Sequence, residues 1–106
     1  MDFKVFLSDD ALSDLERIVT YIARQNAVAA GQIGNQLLDA ALSLDNFPER
    51  GRMVPEYQLP ELREIIFRSY RIIYRMNNTD RSLEIVRFWH GARGFPQIPR
   101  GGHIKD

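Results

Sequence analysis

The sequence predicts an α+β fold: a short N-terminal strand, a two-helix hairpin, then a three-stranded antiparallel meander, with the helices packed on one face of the sheet. Three observations predict it. Between residues 9 and 45 the apolar positions recur every three or four residues, the spacing of an amphipathic helix. Between residues 62 and 90 they alternate one in two, the spacing of a half-buried strand. Short polar links, Arg68-Ser69 and Asn77-Asn78-Thr79-Asp80, divide that second stretch into three runs, as in a meander.

Residues 3–7 (Phe-Lys-Val-Phe-Leu) form a short strand candidate beside the meander. Ser8 or Asp9 can cap the first helix, and Asp9 and Asp10 suit its positive first turn. Leu12, Leu15, Ile18, Val19 and Ile22 make its apolar stripe, with Asp14, Glu16, Arg17 and Arg24 placed off it. Asp10 and Asp14 are four apart, a pair read here as surface charge complementing the helix dipole. Gln25-Asn26 ends this helix, and Asn26 or its neighbour caps a second one over about residues 28–45. Its inner stripe is Ile33, Leu37, Ala41 and Leu44. Gly31 and Gly34 inside it each cost roughly 1 kcal/mol relative to alanine, and either let another backbone approach closely or merely weaken the first turns. Helices so near in sequence form a hairpin that can lie across one sheet face. Residues 47–60 hold three prolines and a glycine and make a connector. From Phe95 onward the chain reads as an extended or mobile tail. One domain over residues 1–93 and a Pro/Gly-rich tail over residues 94–106 are therefore expected.

Register decides which chemistry shares a face. If Phe67 pairs with Tyr70 and Met76 with Arg81, one face gathers Ile65, Phe67, Tyr70, Ile72, Tyr74, Met76, Leu83, Ile85 and Trp89, with Arg63 and Arg87 near its ends. That face should receive the helices. The other then carries Glu64, Ile66, Arg68, Arg71, Ile73, Arg75, Glu84, Val86, Phe88 and His90. A slip of one residue would scramble the division. An open face mixing arginines, a histidine and apolar residues suits a partner, either RNA phosphates or an amphipathic protein segment. The plainer reading pairs Arg71 and Arg75 with Glu64 and Glu84 across strands.

Charge follows the same division. The 106-residue chain has a formal net charge of zero, yet residues 1–48 carry seven acids against three bases, and residues 49–106 seven acids against eleven bases. The second half is thus +4, and twelve of the fourteen bases are arginine, whose planar fork suits carboxylates and phosphates. There is no cysteine, so a disulfide framework and a thiolate metal site are excluded. With only His90 and His103 as histidines, no metal or other cofactor is expected. No apolar run nears the roughly 20 residues that span a bilayer, and the acidic N-terminus is unlike a signal peptide. A cytoplasmic protein with no membrane partner is the expectation.

These residues resemble the RelE/ParE superfamily of bacterial toxins from type II toxin–antitoxin pairs, closer to its ParE-like branch. The resemblance covers about residues 3–93. It rests on Ala11, Asp14-Leu15, Ile18 and Tyr21-Ile22; on Pro48, Gly51-Arg52 and Val54-Pro55-Glu56; on Arg63-Glu64 and Tyr70-Arg71-Ile72-Ile73-Tyr74-Arg75; and on His90 with Arg93. It implies a toxin neutralised by a cognate antitoxin in a hetero-oligomer. ParE-like members poison DNA gyrase, whereas RelE-like members cut mRNA on the ribosome without a metal. Under the second alternative the resemblance assigns Arg71 to the transition-state phosphate, Arg63 to a catalytic basic position usually held by lysine, and His90 to a catalytic histidine. No lysine lies between Lys4 and Lys105 and no tyrosine follows Tyr74, so His90 alone would supply both proton roles of a phosphoryl transfer. That shortage favours the gyrase-directed reading, with Arg68, Arg71, Arg75, Phe88, His90 and Arg93 as the partner-binding surface. A non-toxic nucleic-acid-binding module is a weaker third reading, carried by the +4 half alone.

Overall fold

The computed structural model describes residues 2–99. Strand β1 (Lys4–Leu7) runs directly into helix α1 (Asp9–Ala23), because Ser8 turns the chain and caps the helix, its Oγ accepting the Ala11 N–H at 3.0 Å. Asn26 does the same for α2 (Ala27–Leu42), accepting the Ala29 N–H at 3.0 Å. The two glycines of α2 separate in role. A Cβ on Gly34 would lie 2.9 Å from Val19 Cγ2, so this glycine lets α2 approach α1 closely, while Gly31 faces open space.

Strands β2 (Arg52–Met53), β3 (Leu62–Phe67), β4 (Tyr70–Asn77) and β5 (Ser82–His90) complete a five-stranded sheet in the order β1-β5-β4-β3-β2. The meander is antiparallel, and β1 joins its β5 side in parallel, Lys4 opposite Ser82 and Leu7 opposite Ile85. A short strand inside the 47–60 connector, β2, was not foreseen; it adds only two pairs to β3.

The expected Phe67–Tyr70 pair forms, with Arg68 at φ 54° in the two-residue turn. The second hairpin differs: Met76 pairs with Leu83, not Arg81. Asn77 extends the strand, its Oδ1 accepts the N–H groups of Thr79 and Asp80 at 3.0 and 3.4 Å, and Arg81 takes the left-handed conformation before β5 starts.

A β-bulge then changes the phase of β5. Tyr74 pairs with Ile85 but Ile73 with Arg87, leaving Val86 unmatched. Before the bulge Leu83 and Ile85 face the helices as expected. Beyond it the alternation inverts, which corrects four placements. Arg87 lies opposite Ile73 and over the Trp89 ring, on the far side. Phe88 (1% exposed) packs in the helix-side core, His90 lies opposite Tyr70 on that side, and Trp89 turns to the far side.

The far side is not open. Val54, Leu62, Ile73, Val86 and Trp89 form a second core there, closed by Tyr57 and Ile98. The connector and the start of the expected tail meet across it: the Tyr57 hydroxyl donates to the Pro96 carbonyl at 2.7 Å and accepts the Ile98 N–H at 3.3 Å. Arg75 and Arg87 donate to the carbonyls of Pro99 and Gln97. Residues 100–106, including His103, lie outside the described residues.

Asp14 was expected at the surface and is buried (2% exposed). It lies three residues from Ala11 and four from Ile18, on the inner face of α1. β1 ends at Leu7, so the outer edge of β5 beyond Ile85 lacks a strand partner. Helix α1 replaces it: Ser8 Oγ donates to the Val86 carbonyl, and the Asp14 carboxylate accepts the Phe88 N–H at 3.0 Å. The same carboxylate takes two hydrogen bonds from Arg87, at 2.7 and 2.8 Å, and this pairing holds Arg87 protonated against the opposing effect of burial.

Candidate functional site

Arg71 sits at the centre of β4, opposite Ile66 on one side and Trp89 on the other, with its side chain on the far face. Every nitrogen of its guanidinium is engaged. Nε donates to Glu64 Oε1 at 2.6 Å, and the two terminal nitrogens make a fork with Glu56, at 2.9 and 2.6 Å. Glu64 (1% exposed) also accepts from Arg52 at 2.7 Å. Two arginines and two carboxylates therefore alternate in a chain, Arg52–Glu64–Arg71–Glu56, whose formal charge is zero. The Glu56 hydrogen bond is the main reason the Arg71 pKa is raised; in return Arg71 holds the Glu56 carboxyl below the usual carboxylate range.

The plainer reading of Arg71 as a cross-strand partner of Glu64 thus describes its geometry, with Glu56 added. Glu56 stands in the connector between Pro55 and Tyr57, far in sequence from Arg71, and no strand periodicity could locate it. The signal available was an acid held between prolines 55 and 60 with no basic neighbour of its own. Arg75 approaches Glu84 only to 4.0 Å. Arg68 is exposed at the turn, over the Phe67 ring and 3.3 Å from Gln36 Oε1.

Arg63 is elsewhere. It pairs with Tyr74 in register and so projects on the helix side, where it donates to the carbonyls of Gly51 at 2.9 Å and Glu49 at 3.4 Å. Its Nε is buried without a hydrogen-bond partner among the described residues. Tyr74 binds the same loop, donating to the Pro48 carbonyl and accepting the Gly51 N–H, and burial pushes its pKa up. A Cβ on Gly51 would meet Tyr74 Oη at 2.5 Å and the Glu64 carbonyl at 2.7 Å, which is why glycine stands there.

His90 closes β5 on the helix side, edge-on to Tyr70 with ring centroids 5.2 Å apart. Its Nδ1 accepts the Ala92 N–H at 3.1 Å. A nitrogen that accepts carries no proton, so this bond leaves Nε2 as the donor of the ring. Arg93, next in the turn, lies 3.8 Å from the Trp89 ring centroid, and Arg87 lies 4.8 Å from it. The three residues considered for catalysis are not brought together: Arg71 is on one face, Arg63 and His90 on the other. Tyr74 and Tyr70, which face Arg63 and His90, are four positions apart along β4, about 13 Å. Among the described residues no cluster of histidines and carboxylates could hold a metal ion.

Comparison with known proteins places this architecture. The family model of the ParE toxin of type II toxin–antitoxin systems matches residues 5–95. The chain belongs to the ParE toxin family. Relatives in the wider RelE/ParE group include Toxin RelE1 of Caulobacter vibrioides, 36% identical over 96 residues, covering 86% of this chain and 96% of that protein. Toxin RelE2 of the same organism is 37% identical over 83 residues, covering 78% and 89%. The fold is shared with the toxin–antitoxin complex RelBE2 from Mycobacterium tuberculosis (TM-score 0.66, 20% identity, 85% of this chain and 99% of that one). It is shared also with a chain of the chromosomal ParDE system from P. aeruginosa (TM-score 0.68, 15% identity, 83% and 95%). This ParE-family chain is therefore a type II toxin; its two helices and antiparallel meander are as the sequence predicts, and β2 adds the fifth strand of the mixed sheet.

Proposed function

We propose that this ParE-family toxin acts by binding DNA gyrase, and that a cognate antitoxin neutralises it in a hetero-oligomer. One observation carries the choice of target: the arginine a nuclease would aim at phosphate is already saturated by Glu56 and Glu64. A phosphorane needs several unpaired cations around it, and an acid and a base within hydrogen-bond reach. Here the histidine is on the opposite face with Nδ1 already accepting a hydrogen bond. No helix among the described residues is long and apolar enough to cross a membrane, and both partners would be met in the cytoplasm.

The test is supercoiling by purified gyrase with added toxin. Loss of supercoiling with accumulation of cleaved DNA is expected, and induction in cells should raise DNA breaks before translation falls. Unimpaired gyrase with immediate arrest of translation would overturn the proposal.

A ribosome-directed reading keeps one observation in its favour, the Glu56–Arg71 pair, which juxtaposes a carboxylate base and a cation. Cleavage of ribosome-bound mRNA by the wild type, lost in Glu56→Gln and Arg71→Ala alike, would establish it.

A further inference from the structure

At the end of the sheet, between α1 and the turn after β5, lies a cleft of about 250 Å³. Its floor is apolar, formed by Ile18, Ile22 and Phe88. Its polar rim is Tyr70, His90, Arg17 and Arg93 beside Asp14. The rim offers donors and almost no acceptors. Asp14 is fully used: Oδ1 accepts from Arg17 and Arg87, Oδ2 from Arg87 and the Phe88 N–H. Because His90 Nδ1 takes the Ala92 N–H, the ring turns its Nε2–H outward as a donor. The Tyr70 hydroxyl has no hydrogen-bond partner among the described residues, and burial, aided by Tyr21, raises its pKa so that it keeps its proton at neutral pH. No carboxylate of the described residues lies within salt-bridge distance of Arg93, in contrast to Arg52, Arg71 and Arg87.

We propose that this cleft is a carboxylate-recognition pocket, occupied by an acidic side chain on an amphipathic segment of the antitoxin. Neutral and cationic donors over an apolar floor recognise an anion carried on an apolar stem. The surroundings choose protein over nucleic acid. The cleft shares Arg17 and Tyr21 with a larger hollow along α1, about 1230 Å³, whose walls include Leu12, Leu15 and Val19. Leu12 and Tyr21 are exposed there, Tyr21 at 67%, while Asp9 and Glu16 are balanced by Arg17 and Arg24. A polyanionic strand finds no net positive charge along those walls and has no aliphatic side chains to fill them; an amphipathic peptide with one anchoring carboxylate fills the walls and pairs with the rim. The inference rests on the antitoxin reading above and adds the chemistry of the contact.

Three probes separate the possibilities in NMR titrations of the full chain: 3-phenylpropionate, its uncharged amide, and a ten-nucleotide single-stranded RNA. The carboxylate should shift the Tyr70, His90 and Arg93 resonances saturably, with the amide bound at least roughly tenfold more weakly, the worth of one charge-assisted hydrogen bond. Tyr70→Phe and Arg93→Gln, each at a side chain that holds no other element in place by hydrogen bond or salt bridge, should each weaken it severalfold. In the co-purified toxin–antitoxin complex the probe should no longer bind. Equal binding of acid and amide would overturn the pocket chemistry. Tighter binding of the RNA at the same resonances, or undiminished probe binding in the complex, would overturn the occupant. Rescue of growth by co-expressed antitoxin reports on the antitoxin reading by itself, so the two can fail separately.

Discussion

Two arginine-bearing regions of this molecule look alike in sequence and differ in what they present. Around the middle of β4, Arg52 and Arg71 are met one for one by Glu64 and Glu56, so a dense cluster of charge offers no net field to a partner. Around the end of β5, Arg17 stands near the surface and Arg93 leans on an aromatic ring instead of an acid. The lesson is that counted charge is not displayed charge. Of the eleven bases of the second half, Arg52 and Arg71 are met by Glu64 and Glu56, and Arg87, across the molecule, by Asp14 of the acidic first half.

The comparison is broken most severely at Asp14. Asp14→Ala would leave Arg87 buried with a missing counterion and the Phe88 N–H without an acceptor. Removing one partner of a buried pair costs about 3–5 kcal/mol, so the variant should unfold at markedly lower urea or temperature, or fail to accumulate. Glu64→Gln comes next: it keeps the shape but removes the shared anion between Arg52 and Arg71, and about 2–3 kcal/mol of stability should go, read as a lower denaturation midpoint. Glu56→Gln should be milder, about 1 kcal/mol, because this side chain reaches in from a solvent-facing loop and Arg71 keeps Glu64.

The same variant sharpens the comparison through pH. Arg71 depresses the folded-state pKa of Glu56 below its ordinary 4.5, so the ion pair's contribution is whole above that value and disappears as pH falls through the lower, folded-state pKa. Wild-type stability should therefore drop more steeply than that of Glu56→Gln in that acidic window, and the two curves should run parallel near neutrality. Parallel curves throughout would mean that Glu56 and Arg71 do not pair in solution.

How much of this was legible beforehand follows from the range of the interactions. The caps at Ser8 and Asn26, the helix stripes and the Phe67–Tyr70 hairpin depend on residues within a few positions of one another, and periodicity alone located them. Arg71 could be seen as central because strand alternation is local too. Its two carboxylates could not both be seen: Glu64 is a cross-strand neighbour, but Glu56 arrives from a proline-bounded loop whose path no local rule describes. Asp14 was misplaced for a related reason. Its spacing from Ala11 and Ile18 put it on the inner face, yet an acid on such a face is normally excluded unless a buried cation awaits it, and Arg87 lies 73 residues away. Arg87, Phe88, Trp89 and His90 change faces through one cause, an additional residue in β5.

That additional residue, Val86, acts as a phase shifter. Strand alternation is a two-state code, and one unpaired position inverts every symbol downstream of it. The inversion exchanges two whole chemistries: a ring and an imidazole go under the helices, and an indole with its stacked cations goes to the other side. Pairing Val86 with Ile73 would restore uniform alternation and present the partner of this toxin with a different molecule from Arg87 onward, although not a single side chain had been replaced. Deleting Val86 would instead keep Ile73 opposite Arg87 and leave every later side chain on the face it has now.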